Sequence, residues 1–307
     1  MRSKIVLIIA VIASFSWMVT GVVPAHATTP GTNGRIAFQM DFGRGFEIYA
    51  IKPNGLGIRQ LIKVHGSAET PDWSPDGTQI AFAAEDGPSG VWIMDADGSH
   101  RHQVVASGEA PAFTPDGTHL VYDCFDCTGG QGIFLVDADG SDAPGTRLTT
   151  NPSGFDGDSN AQVAPDGQTV TFVRRKVEGE QQALFAVDID GTDVRKLVPY
   201  RFNVFLKHDW APNGNHIVFS SRIDGQANVY TIAPDGSHRM QLTHVQPDVG
   251  AIAGSYSPDG RWIAFRWENP SVGVYRVMRM RPNGTDRSTV TTAPTGELFI
   301  DWGPAPS

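Results

Sequence analysis

A short phrase built on Pro-Asp-Gly or Pro-Asn-Gly returns along this 307-residue chain as Ser74-Pro75-Asp76-Gly77, Thr114-Pro115-Asp116-Gly117, Ala164-Pro165-Asp166-Gly167, Ala211-Pro212-Asn213-Gly214 and Ser257-Pro258-Asp259-Gly260. Successive copies begin 40, 50, 47 and 46 residues apart. An apolar run follows each copy, and then usually a second turn such as Asp95-Ala96-Asp97-Gly98. Periods of this size mark sheet units that cannot bury their apolar faces alone and gain stability by stacking on neighbours.

One unit shows the pattern. Trp73 precedes the first turn on a short strand, Ile80-Ala81-Phe82 forms a second with Ile80 and Phe82 on one face, Val91 to Met94 a third, and His102 to Val105 a fourth. Asp side chains satisfy backbone donors in such tight turns, and glycine takes a positive φ at low steric cost. The grammar repeats through Leu120-Val121-Tyr122, Val170-Thr171-Phe172, Ile217-Val218-Phe219 and Ile263-Ala264-Phe265. Near the start, Ile36-Ala37-Phe38, Phe46 to Tyr49 and Arg59-Gln60-Leu61 read as strands two to four of a unit whose first strand is missing. Near the end, Phe299-Ile300-Asp301-Trp302-Gly303-Pro304 reads as a first strand without successors. Joining the two pieces makes a sixth unit and removes an exposed sheet edge. The expectation is all-β: a six-bladed β-propeller of four-stranded antiparallel blades, closed by pairing the C-terminal strand with the N-terminal three.

Residues 1–27 fall outside the repeats. Arg2 and Lys4 precede a mostly apolar stretch from Ile5 to Val19, and Ala25-His26-Ala27 places small residues at both positions of a cleavage site, the pattern of a signal peptide. The apolar segment is short for a membrane span. Cleavage after Ala27 leaves 28–307 as one propeller domain and, with Arg2 and Lys4 gone, takes the formal charge from −9 to −11. That balance argues against a general phosphate-binding surface, so no nucleic acid partner is expected. The two cysteines, Cys124 and Cys127, lie in one CxxC. In an exported protein a local disulfide is the preferred reading, because the flanking Asp123 and Asp126 oppose the lowered thiol pKa that redox chemistry needs.

With these turns and strands in place, the chain resembles the TolB-like family of WD40-like PD40 propeller repeats. The resemblance rests on Pro71-Asp72-Trp73-Ser74-Pro75-Asp76-Gly77-Thr78-Gln79-Ile80-Ala81-Phe82 and Val91-Trp92-Ile93-Met94-Asp95-Ala96-Asp97-Gly98, and extends from about Gly34 to Pro304. It does not include the amino-terminal domain that precedes the propeller in TolB. It implies six blades and a secreted, periplasmic or envelope-associated protein.

Catalytic signatures such as GxSxG, HExxH, a P-loop or GxGxxG are absent. The Asp-rich turns (Asp95, Asp97, Asp137, Asp139, Asp188 and Asp190) lack EF-hand spacing, so hairpin geometry is preferred over calcium binding. Polar residues lie just before the inner strands at Glu69, Glu109, Asp156, Asp158, Lys207, His208 and Glu297, and closure of the ring would let several of them gather near one channel mouth, with ordinary solvation of the opening as the simpler account. Phe202-Asn203-Val204-Phe205-Leu206 is read either as a contact patch, through Phe202, Phe205 and Leu206, or as packing beneath a loop. The functional expectation is a monomeric protein-binding or scaffold module, its partner an envelope or extracellular protein or a glycan, with no cofactor and no membrane span after signal removal. The alternative is a lyase or hydrolase acting on a carbohydrate or small molecule at the mouth, with Glu69 and Glu109 as its acid–base pair or His208 as general base.

Overall fold

The computed structural model describes residues 31–306 except 42, 44, 86–88, 128–129, 224 and 292–296, with backbone only at 156, 180, 297 and 298. The expected signal segment and the side chains of Asp156 and Glu297 therefore lie outside the described residues. Among the described residues no helix is long and apolar enough to cross a membrane.

Six four-stranded antiparallel sheets form the blades of a ring. Blade 1 has the strand order β24-β1-β2-β3, with β1 Asn33–Asp41, β2 Phe46–Ile51, β3 Arg59–Ile62 and β24 Glu297–Pro304. The first strand is innermost in each later blade: β4 Ala68–Trp73, β8 Glu109–Phe113, β12 Phe155–Val163, β16 Val204–Trp210 and β20 Gly250–Tyr256. Closure is antiparallel, with Ile36 opposite Trp302 and Phe38 opposite Ile300. The ring thus ends as the partial units require, with the first and last strands of the fold side by side.

The turn phrases work as read. In the first, the Gly77 amide donates to the Ser74 carbonyl at 2.9 Å, and Asp76 Oδ1 accepts from the Ser74 hydroxyl at 2.7 Å and the Thr78 amide at 2.9 Å. Burial alone would raise the Asp76 pKa, but these hydrogen bonds outweigh it and hold the carboxyl below its ordinary value. In the second set of turns, Asp97, Asp139 and Asp190 accept from Ser99, Ser141 and Thr192. Those carboxylates serve their own hairpins. Gly98 is needed twice over: its φ is +93°, and a Cβ there would lie 2.1 Å from the Leu61 carbonyl oxygen of blade 1. The backbones of adjacent blades touch at that point.

Apolar clusters fill every junction between blades. Their constant members are the second-strand aromatics Phe38, Phe82, Tyr122, Phe172, Phe219 and Phe265, all buried. The residue ending each inner strand, such as Trp73, Phe113, Trp210, Tyr256 and Trp302, packs against the preceding second strand and its neighbour. Trp73, Trp210 and Trp302 are therefore structural, as their recurrence implies.

Polar ties accompany this packing. Asp301 Oδ2 accepts the Trp73 amide at 2.9 Å, Asp72 Oδ2 the Phe113 amide at 2.9 Å and Asp209 Oδ2 the Tyr256 amide at 2.7 Å, each across a junction. Ser255 Oγ accepts the Trp302 amide at 3.1 Å, and Asp123 Oδ1 the Asn160 amide at 3.1 Å. The remaining junction uses Thr171, whose hydroxyl accepts from Trp210 Nε1 at 3.0 Å. Each tie satisfies a buried backbone or indole donor that would cost about 1–3 kcal/mol if left unpaired.

Trp302 sits in the closing strand with 2% of its surface exposed. Trp302→Ala is expected to lower unfolding free energy by about 3–5 kcal/mol while keeping one cooperative transition in urea. A loss below about 1 kcal/mol would show that strand closure contributes little.

Candidate functional site

Each inner strand carries an irregularity in register with its neighbour, for example between Glu69 and Asp72 in β4 and between Glu109 and Ala112 in β8. Thr70, Ala110, Asn160, Leu206 and Phe299 adopt positive φ at these bulges. The bulge divides the inner wall into two levels. Residues before it reach the mouth, and residues after it face the axis.

At the mouth, Glu69, Glu85, Glu109 and Asp126 line one recess of about 410 Å³ together with Phe125, Ser67 and Ser107. Among the described residues no lysine or arginine lines it. Burial raises the pKa of Glu69, and repulsion from Glu109 and Glu85 adds to it against an opposing hydrogen bond with Ser67. Burial followed by the charges of Glu85 and Asp126 raises that of Glu109. Glu69 and Glu109 thus line one recess, with Glu85 and Asp126 as members the sequence reading missed. Cys124 and Cys127 are joined by a disulfide with Cα atoms 5.7 Å apart, as expected. This short loop carries Phe125 and Asp126 to the recess edge, where the Phe125 ring lies over the backbone of Gly157.

Of the residues considered for the mouth, Lys207 and His208 do not share that recess. Both are buried, at 5% and 0% exposure, because the β16 bulge turns them inward. Lys207 Nζ lies 2.7 Å from Asp301 Oδ1 and 3.7 Å from Asp72 Oδ1. Burial would lower the Lys207 pKa, but Asp301, Asp72 and Asp209 together raise it, so the ammonium stays charged. Burial drives Asp72 well above the ordinary carboxyl range and Asp209 to about 7. The axial spaces are small, about 40 Å³ beside Asp72, Asp209 and Asp301 and about 10 Å³ beside Lys207. The axis is a packed ionic plug.

His208 Nε2 lies 2.8 Å from Thr171 Oγ1, which also accepts from Trp210 and donates to the Gln162 carbonyl. A hydroxyl has one proton to give, so His208 is the donor through Nε2, leaving Nδ1 without a hydrogen-bond partner. Burial, helped by the Lys207 charge and opposed by the Thr171 bond, pulls its pKa down to about 3.

Asp158 and the Phe202–Leu206 stretch lie elsewhere. Asp158 is buried in a bidentate pair with Arg174, at 2.6 and 2.7 Å, and is not displayed at the mouth. Phe202 and Phe205 are buried at 4% and 8% exposure, and Leu206 is half-buried. Of the two readings of that stretch, packing is the one observed. Arg239 and Arg201 lie over the Phe202 ring at 3.7 and 4.9 Å, and Arg222 over Phe205 at 4.3 Å, so guanidinium groups face outward where a displayed apolar patch was considered. Among the described residues no group of three or more His, Cys, Asp and Glu side chains is arranged to hold a metal ion.

The neutral, buried His208 has a pH signature. Between its ordinary 6.5 and about 3 the unfolded chain binds a proton that the folded chain does not. Its contribution is therefore full above 6.5 and lost as pH falls toward 3. Asp209 acts oppositely: its contribution is full below 3.8 and lost as pH rises toward 7. Replacing His208 with Gln should remove about 1.4 kcal/mol per pH unit of acid-side slope relative to the parent protein, measured by urea unfolding at stepped pH. Unchanged slope would contradict a neutral His208.

A TolB beta propeller domain model matches residues 29–253. A TolB homolog from Chlorobium luteolum is 28% identical over 192 residues, covering 62% of this chain and 42% of that protein. The chain spans less than half the length of the curated relatives it matches. The crystal structure of TolB from Acinetobacter baumannii superposes with a TM-score of 0.71 at 19% identity, covering 89% of this chain and 67% of that one. A putative TolB from Agrobacterium tumefaciens gives 0.63 at 18% identity, covering 90% and 100%. At such identities the superpositions speak to fold alone. On the match to the family model, which covers most of its length, this chain belongs to the TolB β-propeller family.

Proposed function

We propose that the protein is an exported binding module of the cell envelope or extracellular space whose acidic mouth takes a cationic segment of a partner protein. The observation that carries this reading is the recess itself: four carboxylates and one half-exposed aromatic ring, with no cation among the described residues that line the cavity. Such a site attracts lysine or arginine electrostatically, and Phe125 offers a ring face to their alkyl stems or charge. The packed ring beneath holds the recess rigid, so little ordering is required on binding. The signal-like residues 1–27 and membership of the TolB propeller family support export.

The raised pKa values of Glu69 and Glu109 favour a second reading, acid–base catalysis on a glycan in the same recess. That reading requires turnover of an oligosaccharide, lost in Glu69→Gln or Glu109→Gln.

For the binding reading, fluorescence anisotropy with a short lysine-rich peptide should show saturable binding that weakens as salt is added. The double substitution of Glu69 and Glu109 by Gln should weaken it by about tenfold without lowering the unfolding midpoint. Salt-independent binding, or equal affinity of the double variant, would rule out this mouth as the site.

A further inference from the structure

The opposite face of the ring carries a recess of contrary charge. It lies where blades 1, 2 and 6 meet, has a volume of about 530 Å³, and is lined by Arg35, Lys52, Arg59 and Arg279, with no carboxylate among the described residues that line it. Its remaining surface is mainly apolar, from Trp73, Pro53, Ala96 and Pro304 among others. That volume falls within the roughly 300–1,000 Å³ typical of small-molecule sites.

The cations are held by groups that position them without neutralising them. Arg35 Nη1 donates to the Gly57 carbonyl at 2.7 Å, and Arg59 Nη2 to the Ala96 carbonyl at 2.7 Å. Arg279 Nε donates to Ser288 Oγ at 3.1 Å, and its guanidinium lies 4.5 Å from the centre of the Trp262 ring. The Arg59 Nε group is buried and has no hydrogen-bond partner. Asp97 senses the Arg59 charge, but its carboxylate is occupied by the Ser99 amide and hydroxyl. Burial, with repulsion from Arg59, lowers the Arg35 pKa. Four like charges around an apolar floor repel one another, and an anion placed among them relieves that repulsion. Their concentration in one recess is notable in a chain of net charge −9.

We infer that this recess binds a small organic anion, a carboxylate or phosphate group carried on an apolar body, with Arg35, Arg59, Arg279 and Lys52 around the charged end and Trp73 with the prolines against the rest. Guanidinium forks suit planar or tetrahedral oxyanions. The site is separate from the acidic mouth, so its success or failure does not decide the role proposed there.

Isothermal titration calorimetry with hexanoate, phenyl phosphate and inorganic phosphate, in low-salt buffer free of other polyanions, tests the inference. At least one of the two organic anions should bind saturably, and more tightly than inorganic phosphate. Which of the two binds better separates a carboxylate from a phosphate ligand. Arg59→Gln and Arg279→Gln should each weaken binding by about tenfold. Lys52→Gln, at an exposed position where folding is not at stake, should weaken it measurably. Absence of saturable binding by both organic anions, affinity indifferent to the apolar body, or affinity unchanged in all three variants would overturn the inference.

Discussion

A four-stranded blade has two apolar faces and no means of covering either by itself, so this fold depends on the junction between one blade and the next. At each junction an aromatic or apolar inner-strand end packs against the neighbouring sheet, while a polar side chain reaches across to a buried donor. The apolar part supplies the free energy and the polar part fixes register, because a shifted blade would leave an amide unpaired in the interior. Closure through β1 and β24 makes the last junction equivalent to the others and leaves no inner sheet edge open to another chain.

The axial ions follow from the same design. Asp72, Asp209 and Asp301 are first of all junction acceptors, and gathering three of them about one axis would be unfavourable without Lys207. The lysine neutralises part of that charge, and the raised pKa of Asp72 and Asp209 limits the rest. With the axis narrow and plugged, the larger recesses lie on the two faces. One presents carboxylates at the mouth, and the other gathers arginines among the turns. A chain of net charge −9 therefore has two local surfaces of opposite sign on one rigid support.

The fold was legible because its determinants are local. Pro-Asp-Gly turns, alternating second strands and two complementary partial units each leave a mark in a few consecutive residues. The Asp-Trp pairs at 72–73, 209–210 and 301–302 also leave a mark, the tryptophan packing in the junction and the equally repeated aspartate accepting an amide across it. The mouth was legible in part. Glu69 and Glu109 stand where their position before an inner strand implies, but Lys207 and His208 occupy a similar sequence position and are turned inward by the bulge. No residue type announces that bulge, since Thr70, Ala110, Asn160, Leu206 and Phe299 share only their positive φ. Phe202 and Phe205 were ambiguous for another reason: the arginines covering them include Arg239, remote in sequence. The basic recess was the least legible, because only ring closure brings Arg35 and Arg59 to Arg279.

The central claim is that the acidic mouth is the recognition surface of this propeller. Hydrogen-exchange mass spectrometry of the folded protein, with and without a saturating lysine-rich peptide, tests it by location. The account predicts slowed exchange confined to the segments around Glu69, Glu85, Glu109 and Phe125, with the turn face unchanged. A footprint centred on the turn face, or no footprint at saturation, would contradict it.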